Sequence, residues 1–200
     1  MSRDAVRCPL PAIGVVELRS IARGVFVLDQ MAKRAQTSIL MSRTYSPGRY
    51  LILVNGLEAE VDEALGAARR AAGDALVDLV YLPDPAEGLR ALLAEARVDA
   101  PWGEALAIVE LTTIASGLLA VDRVIKECGV HVHELRLGAG LDGKSVFTLT
   151  GPLDLVEATR EVLDRTLEAG RVAGYELIAQ PHGDLPGDLL RAEGAWVRGR

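Results

Sequence analysis

Ala12 to Lys33 reads AIGVVELRSIARGVFVLDQMAK, and Ala105 to Lys126 reads ALAIVELTTIASGLLAVDRVIK. The two stretches align without a gap, residue 12 on residue 105. Identical pairs are Ala12/Ala105, Val16/Val109, Glu17/Glu110, Leu18/Leu111, Ile21/Ile114, Ala22/Ala115, Gly24/Gly117, Asp29/Asp122 and Lys33/Lys126. That density of matches in register marks an internal repeat, which fixes architecture before any local detail. The period is that of a small domain, not of a solenoid unit. The chain therefore reads as two fused copies of one fold, over 12–99 and 104–184. An extension, 1–11, precedes them and a tail, 185–200, follows.

Each copy begins with a short apolar run, AIGVVEL or ALAIVEL, whose length and β-branched content predict a buried strand. Ser20 and Thr113 follow, residue types that cap helix starts. Ile21, Val25, Leu28 and Ala32 then recur at helical spacing, as do Ile114, Leu118, Val121 and Ile125. Asp29 precedes Lys33 by one turn and Asp122 precedes Lys126, the favourable order for an ion pair. A strand pair comes next. The first copy reads TSILMSR, TYSPG, RYLILVNG and the second HVHELRL, GAGLDG, KSVFTLTG. Second helices over 57–72 and 153–169 and closing strands LVDLVYL and GYELIAQ complete the order β-α-β-β-α-β. That order predicts an α/β (α+β) fold of two tandem ferredoxin-like domains. A short helix from Ala86 to Ala96 is expected to finish the first copy.

Half of the residues are apolar and only 4% aromatic, so the cores are built from Ala, Val, Leu and Ile. The net charge of −6 and the lack of a basic block argue against nucleic acid as the main partner. Cys8 and Cys128 form no disulfide framework and suit a reducing cytoplasm. The N-terminal segment lacks the apolar region of a signal peptide, and no stretch is apolar enough to span a membrane. There is no Walker loop, metal triad or Ser/His/Asp arrangement, so an enzyme is not expected.

The combination GVVEL-x-SIARG and IVEL-x-TIASG, the D-x-x-x-K spacing, the glycine-bearing loop and the closing IAQPH resembles the bacterial microcompartment shell domain. The resemblance covers both copies, from Ala12 to His182. The strand order is similar to the non-permuted tandem class, which includes a propanediol-utilisation trimer with an iron–sulfur cluster in its pore. It implies a cytoplasmic homotrimer of six domains in a ring, a pseudohexameric tile. Such tiles pack edge to edge with other shell proteins, and small metabolites pass through the central pore. The alternative kept beside it is a small-molecule-binding regulatory module.

The resemblance implies that Thr44, Tyr45, Ser46, Pro47 and Gly48 line the pore in the first copy. In the second copy Leu137, Gly138, Ala139 and Gly140 take that place. From the residues alone, both loops also read as ordinary hairpin turns with glycines for positive φ. Ser46 stands where the cluster-binding relative has cysteine. A neutral hydroxyl is a poor iron ligand beside a thiolate, so no cofactor is expected. Tyr45 either narrows the opening or packs sideways against its domain. Lys33 and Lys126 match the family's tile-edge lysine, or are solvated partners of Asp29 and Asp122. The family's edge arginine is missing, with Gln180 at its place. His131 and His133 alternate on a strand and read as a polar face, so no metal is expected. Glu17 and Glu110 read as hydrogen-bonding groups at domain junctions, and Cys128 as a small core residue.

Overall fold

The computed structural model describes residues 11–94, 102–138, 140–185 and 189–190. Ala139, the 1–10 segment with Cys8, the end of the expected helix at Ala96, and Trp196 lie outside the described residues. The chain divides into two compact units between Pro85 and Ala86.

The first unit runs β1 (Ala12–Leu18), α1 (Ile21–Arg34), β2 (Ser38–Tyr45), β3 (Arg49–Gly56), α2 (Glu58–Ala72), β4 (Leu76–Pro83). Its antiparallel sheet has the order β2-β3-β1-β4. β1 is central, and all seven of its residues are buried, which is why its sequence is a continuous apolar run rather than an alternation. Val16 and Leu18 join Val27, Met31, Ile52, Val54, Val61 and Leu65 in one core between the sheet and the two helices. Ser20 caps α1, its hydroxyl accepting from the Arg23 N–H at 3.2 Å.

The second unit repeats this plan with α4 (Ile114–Cys128) and α5 (Leu153–Thr166) against β5 (Ala105–Leu111), β6 (His131–Leu137), β7 (Ser145–Gly151) and β8 (Val172–Ala179). Its sheet order, β6-β7-β5-β8, copies the first. Thr113 caps α4 as Ser20 caps α1, accepting from the Ser116 N–H at 3.2 Å. The tandem α/β reading of the sequence therefore stands.

Two local expectations change. The short helix α3 (Glu87–Leu93) packs on α4 and β6 rather than finishing the first copy. Its first turn is tied down when the Ala86 N–H donates to Asp122 Oδ1 at 2.7 Å, and Leu89 is fully buried. The apolar stripe of α1 is also not its core face. Gly24, Val27 and Met31 face the sheet, while Ile21 and Val25 point outward. Gly24 decides this rotation, because a Cβ there would stand 2.5 Å from the Tyr50 ring. The helix lies too close to β3 at that point for any side chain.

Candidate functional site

The β2–β3 loop of the first unit exposes Thr44, Ser46, Pro47 and Gly48. Tyr45 turns the other way and is buried. Its hydroxyl donates to Glu17 Oε2, and the Arg49 guanidinium stands 3.9 Å from the same oxygen. Glu17 has no exposed surface, so a carboxylate under the sheet clamps both ends of the loop through a phenol and a cation. Of the two readings of Tyr45, the sideways one holds within this chain. Burial first, then the charge and hydrogen bond of Glu17, raise the Tyr45 phenol above the ordinary tyrosine value; Arg49 only partly opposes this.

The sheet register aligns Arg49 with Lys144, and Tyr45 with Gly138. The second clamp is looser. Lys144 Nζ pairs with Glu110 Oε2 at 3.1 Å, both half-exposed. No phenol takes part, because Gly138 occupies that place with φ +74°. The loop closes instead on its own backbone: the Leu141 N–H donates to the Gly138 carbonyl at 3.1 Å and the Lys144 N–H to the Leu141 carbonyl at 3.0 Å. Gly140, Asp142 and Gly143 all have positive φ, Gly140 is exposed and Leu137 buried. Glu17 and Glu110 are thus one per unit, each serving its own loop.

The two lysines also differ. Lys33 Nζ bonds Asp29 at 2.7 Å on an open surface, its side chain 70% exposed. Lys126 Nζ bonds Asp122 at 2.8 Å with its side chain 33% exposed, and Asp122 is buried. Asp122 therefore serves two donors, Lys126 and the Ala86 N–H, and fixes α3 to α4. Asp122→Ala should destabilise the second unit by about 2 kcal/mol, since it leaves the buried Ala86 N–H without its acceptor and removes a buried ion-pair partner of Lys126. Asp29→Ala should cost about 0.5 kcal/mol or less, as exposed pairs do. Denaturant unfolding of the two variants side by side checks the contrast; equal losses would contradict the assignment.

The strongest difference between the copies is on the first helix of each. Ile21, Val25 and Phe26 are 42%, 53% and 47% exposed, whereas their counterparts Ile114 and Leu118 are fully buried and Leu119 half-buried. Arg23 lies over the Phe26 ring at 5.4 Å. An apolar patch of this kind on a folded unit marks a surface made for contact.

A family model described as the BMC domain matches residues 12–85 and again residues 105–181. The chain belongs to the BMC-domain family. The bacterial microcompartment shell protein PduT of Citrobacter freundii is 32% identical over 173 residues, covering 86% of this chain and 93% of that protein. The crystal structure of a microcompartments protein from Desulfitobacterium hafniense DCB is 33% identical with a TM-score of 0.70. It covers 86% of this chain and 95% of that one. A double-ringed trimeric shell protein from the RMM microcompartment shares the fold at 17% identity and a TM-score of 0.59, covering 79% of this chain and 83% of that one.

Both BMC domains carry the loop, the clamp carboxylate and the helix lysine at equivalent places. Sequence reading missed the clamp because Glu17 and Tyr45 are 28 positions apart. One signal was available: an acid ending the first strand and a base after the loop glycine, Glu17 with Arg49 and Glu110 with Lys144, recur together in the repeat. Pro181-His182 closes the second BMC domain, with His182 exposed and its Nδ1 accepting from the Asp184 N–H at 3.2 Å.

The clamp has a measurable alkaline signature. The raised Tyr45 pKa means its contribution to stability is complete below the unfolded value near 10. It is lost as pH rises above that value, because the unfolded phenol ionises first. Wild type should lose stability between pH 10 and 11 more steeply than Tyr45→Phe, read by urea midpoints. Identical slopes would contradict the clamp.

Proposed function

We propose that the protein is a structural shell component of a bacterial microcompartment, a homotrimer whose six BMC domains form a pseudohexameric tile around a central pore. The observation that carries this reading is the unequal burial of the two first helices. In a closed ring of alternating first and second domains, every domain contacts a neighbour through the same kind of face. The equivalent residues are buried on α4 and exposed on α1. A second copy would cover the exposed ones, and repetition of a heterologous contact closes into a ring of three chains.

In this reading Thr44, Ser46, Pro47 and Gly48 line the pore from one domain and the exposed Gly140 from the other. Tyr45 holds its loop from behind. Gly140, the exposed glycine of the second loop, offers backbone to polar or anionic solutes. Lys33 and Lys126 meet neighbouring tiles, with unequal strength because the Lys126 side chain is largely covered and the Lys33 side chain stands on an open surface. The protein acts as a wall and passage for metabolites, not as a catalyst, within the cell's microcompartment shell.

Light scattering should give about 64 kDa, three times the 21.3 kDa chain, and negative-stain images should show hexagonal particles or sheets. A monomer at micromolar concentration would overturn the proposal. Ser46 leads to a further expectation. The purified trimer should carry less than stoichiometric iron and no broad visible absorption, because three hydroxyls are poor ligands for a cluster. One cluster per trimer by iron analysis would refute it.

A further inference from the structure

We propose that the exposed face of α1 docks on the second sheet of the next copy, on the side of that sheet that carries no helices, along a strip formed by Ile108, Glu176 and Ile178. The contact rests on the ring of three chains proposed above and names its two halves. Strand alternation defines the sides of each sheet. In the second unit Tyr175 points to the helices, its hydroxyl donating to the Val156 carbonyl at 3.0 Å. Glu176 and Ile178 therefore share the other side, Glu176 opposite Ile108 and Ile178 opposite Leu106 in the register. In the first unit the equivalent pairs are Val80 opposite Val15 and Leu82 opposite Ile13.

The two copies are open on opposite halves. In the first unit the helix-free side of the sheet is buried at Ile13, Val15, Val80 and Leu82. In the second unit Leu106 stays buried, but Ile178 is 37% exposed, Glu176 is exposed and Ile108 half-buried. The first helices are the reverse: α1 is exposed at Val25 and Phe26, and α4 is buried at Ile114 and Leu118. Each chain therefore shows one open helix face and one open sheet face, on different units. A helix face of one copy meeting a sheet face of the next is a head-to-tail contact, and its repetition occupies both surfaces on every chain when the ring closes.

Charge separates in the same way. Arg23 stands on the open face of α1, over the Phe26 ring at 5.4 Å, and Arg19 is exposed just before the helix. Glu176 is exposed on the open strip and enters no ion pair among the described residues. At the equivalent positions of the other copy stand Ser116 and Val80, both buried. A cation and an anion thus mark the two open surfaces, and neutral side chains take their places on the two buried ones. Opposite charges beside an apolar contact fix its register and disfavour wrong pairings. Here the apolar part is Val25 and Phe26 on one copy and Ile108 and Ile178 on the next.

The test is Ile178→Asp in the full chain, followed by light scattering, with folding checked by circular dichroism. Association should weaken at least about hundredfold, because an unpaired carboxylate enters the apolar contact. Mixing this variant with a chain carrying Val25→Asp and Phe26→Asp should give a dimer from two monomeric proteins. The intact α1 of the first then meets the intact sheet of the second, and the remaining two surfaces are blocked. Glu176→Arg, at an exposed position, takes the place of Ile178→Asp if that variant does not fold. It should weaken the trimer about tenfold, and Arg23→Glu added to it should recover most of the loss. A trimer untouched by Ile178→Asp, a mixture without dimer, or a charge reversal without rescue would overturn this pairing and leave the ring of three chains standing. A monomeric wild type would overturn the ring and this contact with it.

Discussion

If the chain forms the proposed trimer, the double variant Val25→Asp/Phe26→Asp is expected to run as a 21.3 kDa monomer instead. Both side chains are about half exposed on the outer face of α1, away from Gly24, Val27 and Met31, which face the core. The substitutions therefore leave the fold of the first unit alone, and circular dichroism should be unchanged. Covering the exposed half of two such side chains contributes about 0.8–1.5 kcal/mol each. Burying two unpaired carboxylates in their place adds a penalty of several kcal/mol. The sum exceeds about 4 kcal/mol per contact, or roughly a thousandfold in the association constant. Light scattering at micromolar concentration reads the result. A trimer that survives both carboxylates would place the ring contact elsewhere on the chain.

Gly117→Ala comes next in size. Two effects oppose each other there. Alanine in a helix interior is favoured over glycine by about 1 kcal/mol. A Cβ at residue 117, however, would stand 2.0 Å from Ser145 Oγ and 2.6 Å from Ser145 Cβ. The hydroxyl cannot simply rotate away without loss, since it donates to the Thr113 carbonyl at 2.8 Å, and Thr113 is the cap of the same helix. The Cβ contact cannot rotate away at all. Overpacking of that kind costs about 3 kcal/mol when the backbone must shift. The steric cost wins, and a net loss of about 2 kcal/mol should lower the melting temperature by about 4–8 °C. Adding Ser145→Gly should recover part of it, because the clash is with that one residue. An unchanged or raised melting temperature for Gly117→Ala would show that α4 can move off β7 freely.

The repeat, the order of elements, the capping residues Ser20 and Thr113 and the tandem α/β class were all legible in the sequence. Each rests on local chemistry: apolar runs of strand length, hydroxyls before helical periodicity, glycines at turns. What was not legible depends on which side of an element meets what. In α1 the apolar residues fall on two faces, so Ile21 and Val25 read as a core stripe. The approach of Gly24 to Tyr50, a residue 26 positions away, turns them outward.

By itself, then, the sequence determined that the chain holds two copies of one domain and placed the loops, lysines and glutamates within them. A repeat is a property of the linear order, and it survives without knowing any distance. Only the tertiary structure decided what the copies do differently. It buried Tyr45 on Glu17, put Asp122 under α3, and covered the first helix of one copy while leaving that of the other open. Those outcomes are sums over contacts between residues far apart in the chain, and the same local pattern, Asp29–Lys33 and Asp122–Lys126, becomes an exposed pair in one copy and a buried anchor in the other.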